Sequence, residues 1–442
     1  MLFSMMWRSL SMLSVYHQRQ MKLISSLQEH AFAVLFAGKK RLRNGDVHYP
    51  FRQSSSFLYL TGYTQADAWL ILSSNPNQPQ TVLFVSNPDP KQARWEGGAL
   101  SKADILALTG VTEVHYLSDF ERYLATISVL HKHCYLPFAE MSLTSQRDIQ
   151  DQLAASKRKR SIGALGYADL SEILAKLRMI KDETEITIMR QAIHDSGEAH
   201  RQVIQSARAN QFEYQLENTF QSYLRERGYT ALAYPSIVAG GSNACILHYT
   251  DNNQRICSGD LVLIDAGVEK NGYAADITRT FPVNGQFSPV QQLVYQAVLS
   301  VQESVIQMIK PGCDFGQLNQ CAITLICEFL IEVGLIRASL VEAIEKQLYL
   351  PYYFHSVGHW LGLDVHDVGP YKHHDDWIPF EPGMVLTIEP GLYFARDITD
   401  CPREYHGLGV RIEDDILVTQ TGCEVLSSAC PKQIDEIEEL RH

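Results

Sequence analysis

Residues 260–282, DLVLIDAGVEKNGYAADITRTFP, limit the possible folds more than any other stretch of the chain. Leu261 to Ile264 form an apolar run that ends on Asp265, the pattern of a buried strand with a carboxylate at its end. Asn271-Gly272 is the strongest short-range hairpin signal, and the return strand, Tyr273 to Phe281, carries Asp276. The midpoint of Asp265 and Asp276 falls inside that turn, so the two aspartates are expected nearly opposite each other on one hairpin face. Two carboxylates side by side on an apolar hairpin repel strongly unless a proton or a cation lies between them. A metal ion is the simpler expectation.

The chain around this hairpin has 442 residues, room for about two to three domains with large cores. Its hydrophobic content of 45% and charged content of 20% are those of an ordinary globular protein. A formal net charge of −12 argues against nucleic acid or an anionic membrane as the main partner. Nine cysteines without a CxxC pair read as reduced thiols in a reducing compartment, so the cytoplasm is the expected location. The opening MLFSMMWRSLSML is too short to span a bilayer and lacks both a basic n-region and an A-x-A cleavage site. Residues 1–14 are read as disordered or as a misplaced start, with the functional chain beginning near Ser11 to Met21.

Residues 15–36 read as an amphipathic helix (Met21, Leu23, Ile24, Leu27) running into the strand AFAVLFAG. The strands AWLILSS and TVLFVSN follow, and the alternation of helical and strand signals continues through LHKHCYLPF, predicting a first α/β domain. SKRKRSIGA at 156–164 is a basic, linker-like run read as a solvated charged stretch. The boundary falls near Leu177–Lys181, giving domains 1–178 and 179–442. The second domain opens on a helix capped by Asp182, with DETE placing negative charge in its first turn. Helices over 182–208 and 212–227 precede the strand Tyr234–Val238 and the aspartate hairpin. Helices over 288–310 and 314–334 then lead to three short strands carrying His359, Glu389 and Glu413. That order predicts an α+β domain with mostly antiparallel sheet.

Five potential ligands therefore sit at strand ends or in strands of the second half: Asp265, Asp276, His359, Glu389 and Glu413. Glu389 ends an apolar strand that Pro390-Gly391 stops, and Glu413 interrupts the run between Ile412 and DDILVT. An acid in such a place costs too much unless it is paired or coordinated. A single one reads as a satisfied core carboxylate; four with the same flaw, and a histidine between Gly358 and Trp360, read as a metal site. Carboxylates with one imidazole favour a borderline-hard divalent ion, and four acids suit two ions bridged by two of them. His248, His355 and His366 flank these ligands and are candidates for substrate binding or proton movement. Arg411, two positions before Glu413, is expected on the same face as that acid. His373, His374, Asp375 and Asp376 lie in a polar loop without an apolar frame and read as solvated.

The motifs LVLIDAG, GYAADITRTFPVNG, HSVGHWLGLDVHDVG, VLTIEPGLY and GVRIEDD resemble the metallopeptidases of the pita-bread fold, most closely the Xaa-Pro aminopeptidases. DVHYPFRQSSSFLYLTGY resembles that group's first domain, so the similarity covers nearly the whole chain past residue 15. Methionine aminopeptidases share the ligand pattern but lack such an N-terminal domain; creatinases share the fold but have lost the ligands. The resemblance implies a C-terminal pita-bread domain behind a smaller α/β domain of the creatinase/prolidase type. It also implies a pair of divalent ions, most readily Mn²⁺, and peptide substrates with proline second. Asp265 would chelate one ion, His359 and Glu389 the other, and Asp276 and Glu413 would bridge them. A hydroxide between the ions would attack the carbonyl before proline. Glu389 would act as general base and acid, and His248 and His366 would hold the tetrahedral intermediate and the proline-side carbonyl. His355 would line the pocket, Arg411 would pair with Asp46 behind the ligands, and Tyr234 would lie near the free amine. Trp95 would wall a neighbouring subunit's site in a homodimer or homotetramer, although Trp95-Glu96-Gly97-Gly98 departs from the family's W-x-G-x-R. Two other readings stay open: a prolidase restricted to Xaa-Pro dipeptides, clamped by a cation such as Arg396 or Arg403, and a pita-bread protein that binds peptides without cleaving them.

Overall fold

The computed structural model describes residues 15–157 and 166–441. The apolar stretch 1–14 and most of the basic run, 158–164, lie outside the described residues. The chain divides into two compact units, Met1–Arg178 and Met179–His442.

The first unit begins with a helix over 15–26 that buries Leu23 and Ile24. Its sheet has six strands in the order Glu113–Tyr116, Thr81–Val85, Trp69–Ser73, Ala31–Phe36, His133–Leu136 and Gly166–Asp169. Ala31–Phe36, Trp69–Ser73 and Thr81–Val85 pair antiparallel in succession. The outer pairings are parallel, and the helices that parallel crossovers require pack on the sheet. Phe120–Leu130 and Leu143–Lys157 cover Phe32, Val34, Ile71, Val82 and Phe84 with Leu124, Ile127, Ile149 and Leu153. Each such side chain contributes roughly 1.5–3 kcal/mol when fully buried. This is the α/β arrangement expected.

The second unit repeats one plan twice. Helices Glu183–Ser206 and Glu213–Glu226 lead to an antiparallel sheet of Ile237–Gly240, Leu261–Asp265 and Thr278–Pro282, with Leu261–Asp265 central. Helices Pro289–Met308 and Phe315–Glu332 lead to a second group of antiparallel strands. In that group Val385–Ile388 pairs with Asp414–Val418, and Gly391–Phe394 with Leu408–Arg411. Asp182 caps its helix as expected, its carboxylate accepting from the backbone N–H groups of Thr184 and Glu185. Asp265 ends a strand buried along its whole length, and Glu389 and Glu413 each adjoin one; the expected continuous return strand is instead broken at 275–277, so that Asp276 lies between Tyr273–Ala274 and the buried Thr278–Pro282. Among the described residues no helix is long and apolar enough to cross a membrane.

Candidate active site and metal centre

The aspartate hairpin differs from expectation in its register. Asn271 and Gly272 both take positive φ, 51° and 88°, the geometry of a two-residue type I′ turn. Lys270 pairs with Tyr273, Glu269 with Ala274, and the same count continues to Asp265 opposite Thr278. The turn is thus centred one residue later than the midpoint of the two aspartates, and Asp276 lies diagonally from Asp265 rather than opposite it. An offset of two residues preserves the face, because side chains alternate with period two. The Tyr234 hydroxyl accordingly reaches both carboxylates, at 2.6 Å from Asp265 Oδ1 and 2.5 Å from Asp276 Oδ1.

His359 also departs from expectation, lying in an irregular segment rather than a strand. Its backbone nevertheless runs alongside Val385–Ile388: Leu361 N–H donates to Val385 O, Thr387 N–H to His359 O, and Glu389 N–H to Val357 O. At Gly358 a Cβ would lie 1.9 Å from the Thr387 carbonyl oxygen, so the close approach that aims His359 requires glycine. With the Nδ1–H of His359 donating to Trp360 O at 3.0 Å, Nε2 is the atom facing Asp276 Oδ2, at 3.4 Å, and Glu389 Oε1, at 3.7 Å. Glu389 sits between the strands Val385–Ile388 and Gly391–Phe394, and Glu413 between Leu408–Arg411 and Asp414–Val418. In both cases one strand ends and another begins at the acid.

Asp265, Asp276, His359, Glu389 and Glu413 converge on one cavity of about 900 Å³. Tyr234, His248, His355, His366 and Arg411 line the same cavity. Ligand atoms of Asp276, His359 and Glu413 lie within 4.8 Å of one another. The electrostatics of this cluster are those of a site short of positive charge. Burial, reinforced by Asp276, Glu389 and Asp265, holds the Glu413 carboxyl well above the usual range. Burial lifts Glu389 to about 7 even though His359 and Arg411 pull the other way. Burial raises Asp265 too, against the pull of Arg411. His359 is pushed up to about 9, because Asp276 and Glu389 outweigh the opposing effect of burial. Oxygen-rich donors with one imidazole, packed where their charges repel, fit a hard or borderline divalent cation.

Among the described residues Arg411 is the only lysine or arginine lining the cavity, and its donors are engaged. It donates to Asp265 Oδ2 at 2.7 Å, to the Tyr393 hydroxyl at 3.1 Å and to Thr278 Oγ1 at 3.3 Å. Thr278 Oγ1 in turn donates to Glu413 Oε2 at 2.6 Å, so Arg411 and Glu413 do share a face. Within the second unit the carboxylate that Arg411 bonds is Asp265; its pairing with Asp46, which the resemblance implies, joins two different units. Asp46 is an exposed residue of the first unit, in the turn between Leu42–Asn44 and Val47–His48, and Trp95 in the same unit is 89% exposed. His355 Nδ1–H donates to Ser356 O, and Nε2 meets the Tyr393 hydroxyl at 2.8 Å. His366 stacks edge-on against His359 at 4.4 Å, and the buried Lys181–Asp367 ion pair anchors the residue that follows it. His373, His374, Asp375 and Asp376 lie exposed on a small hairpin, as expected of a solvated loop.

Sequence reasoning missed Thr278, Asp415 and Tyr393. The first two carried a signal, since Thr278 follows Asp276 by two residues and Asp415 follows Glu413 by two, which puts each on the ligand face. Asp415 Oδ2 accepts from the Asp276 backbone N–H at 3.1 Å. Tyr393, in the apolar strand GLYF, carried none.

Residues 187–420 match the model of metallopeptidase family M24, and residues 16–135 that of the aminopeptidase P N-terminal domain. The chain belongs to metallopeptidase family M24. It is 37% identical to the Xaa-Pro aminopeptidase of Haemophilus influenzae over 428 residues, 96% of each chain. Among solved structures it resembles Pseudomonas aeruginosa aminopeptidase PepP, with a TM-score of 0.94, 36% identity and 97% of each chain covered. It also resembles Escherichia coli aminopeptidase P solved with the inhibitor Pro-Leu, with a TM-score of 0.92 and 35% identity over 97% of this chain and 98% of that one. The second unit is thus the pita-bread catalytic domain of an M24 enzyme, and the first its aminopeptidase P-type companion. This M24 member is a metal-dependent, proline-specific aminopeptidase that acts on peptides.

Proposed function

We propose that the cavity holds two divalent ions, most readily Mn²⁺, and cleaves the bond before a proline in second position. The observation that carries this reading is the convergence of four carboxylates and one imidazole with, among the described residues, no lysine or arginine beside them except the engaged Arg411. In this reading Asp265, Asp276, His359, Glu389 and Glu413 would hold the ions, with Asp276 and Glu413 as the acids that would serve both. When bound, the pair supplies Lewis-acid polarisation of the scissile carbonyl and a water of lowered pKa as nucleophile.

The chain's own residues do the rest. Glu389, a carboxylate among the proposed ligands and beside His359, is the group that takes a proton from water and returns it to the departing proline nitrogen. His366 and His248, on opposite segments of the lining, donate to the oxygen that gains charge and to the carbonyl on the proline side. Burial and His359 hold His366 below the ordinary histidine range. His355 fills out the wall beside Glu389 with Tyr393 behind it. Tyr234, bonded to both hairpin aspartates, marks the end that receives the substrate's amine. Leu247, Val365, Phe315 and Tyr371 supply apolar surface for the proline ring.

A prolidase needs a cation free to clamp the dipeptide carboxylate. Neither Arg396 nor Arg403 lines the cavity, which supports the open, aminopeptidase arrangement. A homodimer or homotetramer belongs to the same reading, with the exposed Trp95 walling a neighbour's site. So does a cytoplasmic location, since all nine cysteines are free. The test is hydrolysis of Xaa-Pro, Xaa-Pro-Yaa and Xaa-Ala-Yaa by chelator-stripped protein titrated with Mn²⁺. Activity that saturates at two ions per chain and favours Xaa-Pro-Yaa is expected. Saturation at one ion would end the dinuclear reading, and cleavage of Xaa-Pro alone would end the aminopeptidase reading.

A further inference from the structure

His248 occupies a turn in the loop between the strands Ile237–Gly240 and Leu261–Asp265, and that loop has little regular structure beyond the short 3₁₀ turn Gly241–Cys245. A loop of this kind aims a side chain only if something outside it fixes the backbone. The fixing group is Glu213, the first residue of the helix Glu213–Glu226, which is 0% exposed. Its Oε1 accepts from the backbone N–H of Gly240 and from Asn243 Nδ2, both at 2.8 Å. Its Oε2 accepts from the Tyr249 hydroxyl at 2.7 Å and from the backbone N–H of Gln254 at 2.8 Å. The backbone N–H of Glu213 returns a bond to the Gln254 carbonyl at 3.0 Å.

An ionised carboxylate is an acceptor with about four lone-pair sites, and here four donors take them all. Two donors precede His248 in the chain and two follow it. We propose that Glu213 is a positioning residue for His248, a buried carboxylate that ties both flanks of the histidine's loop to one point. Asn252 adds a second pin further along: it accepts from Val238 N–H and donates to Ser236 O and Glu217, with its own backbone at a φ of 46°. Glutamine replaces the acid at 213 poorly, because in either orientation its amide nitrogen faces a backbone N–H, of Gly240 or of Gln254, that can only donate. The loop would relax there, and displacing a catalytic group by about 1 Å costs on the order of 10²-fold in rate.

This inference rests on the role proposed for His248, so the experiment separates the two. Turnover of an Xaa-Pro-Yaa peptide by the metal-loaded protein is measured for Glu213→Gln, Tyr249→Phe, His248→Ala and the Glu213→Gln/His248→Ala pair. Metal content and thermal unfolding are measured on each. We expect Glu213→Gln to lower kcat by about 10²-fold with its metals retained, Tyr249→Phe to lower it less, and the double variant to be no slower than His248→Ala. Should Glu213→Gln unfold, Tyr249→Phe in the parent and His248→Ala backgrounds gives the same comparison. Unchanged turnover in His248→Ala would overturn the role of His248, and this inference with it. A slow His248→Ala beside a fully active Glu213→Gln, or losses that multiply in the double variant, would overturn the inference alone.

Discussion

Glu413 and Asp414 are neighbours in the chain, both buried, and their charges are balanced in opposite ways. Glu413 faces the cavity, meets three other carboxylates and one threonine hydroxyl, and is held far above the usual carboxylate range by burial and by those acids. Asp414 faces away. It accepts from Arg279 and Ser427 on one oxygen and from Gln302 and Lys432 on the other, at 2.6–2.8 Å. Although its burial acts in the other direction, Arg279 and Lys432 hold its carboxyl below the ordinary range. Arg279 then spends its remaining donors on the carbonyls of Thr278, Glu413, Cys430 and Pro431. The period-two alternation of an extended segment sets the two acids back to back. One face brings its own cations and closes a network; the other, the proposed metal face, is left short of positive charge. The difference separates a structural carboxylate from a functional one without reference to any relative.

The two faces are separable by mutation. On the open face, Asp276→Asn or Glu413→Gln should bring turnover below detection and lower bound metal, while circular dichroism stays at the parent's and the unfolding midpoint stays at or above that of the metal-free parent. Full activity with full metal content in either variant would rule out shared ligands. On the closed face, Arg279→Met leaves Asp414 with one cation instead of two and should cost about 3–5 kcal/mol of stability by urea unfolding. The variant's turnover per folded molecule should be close to the parent's. A loss of activity in protein still folded would mean that the networks are coupled through the Glu413 carbonyl.

How far this contrast could be read from the sequence depended on the kind of signal. Acids interrupting apolar runs were visible at Asp265, Glu389 and Glu413, because burying an unpaired charge is costly wherever it occurs. Asp414 and Asp415 look identical on paper. Which is satisfied depends on Arg279, Gln302, Ser427 and Lys432, four residues from separate segments that only tertiary structure assembles. The hairpin was legible from Asn271-Gly272, but not its register, since counting outward from the aspartates places the turn one residue early. The backbone φ values at 271 and 272 decide it. The irregular path of His359 was hidden for a similar reason: Gly358 marks close packing against Thr387, and nothing local says what is approached.

A third prediction concerns a residue of the open face that is not placed among the ligands. His366→Ala should keep its bound metal, because His366 contacts His359, a proposed ligand, through its ring and is not itself among the proposed ligands. Its kcat should fall by about 10²–10³-fold, the usual loss for one donor to a developing oxyanion. A rise in KM at constant kcat would instead make it a ground-state contact.

The smallest expected effect tests the contrast most directly. Ions that bind only the folded chain stabilise it by about 2.7 kcal/mol at a free concentration 100 times Kd. Chelation should therefore lower the unfolding midpoint of the parent. Asp276→Asn should show little or no such shift, and its metal-free form should be at least as stable as the metal-free parent, since it has lost one of the repelling charges. Arg279→Met should start from a lower midpoint yet keep the parent's full metal-dependent shift, because its damage lies on the face that holds no ion. The three midpoints, each measured with Mn²⁺ and after chelation, thus form a pattern that neither face alone produces. A metal response lost in Arg279→Met, or retained in Asp276→Asn, would show that the strand does not insulate its two acids from each other.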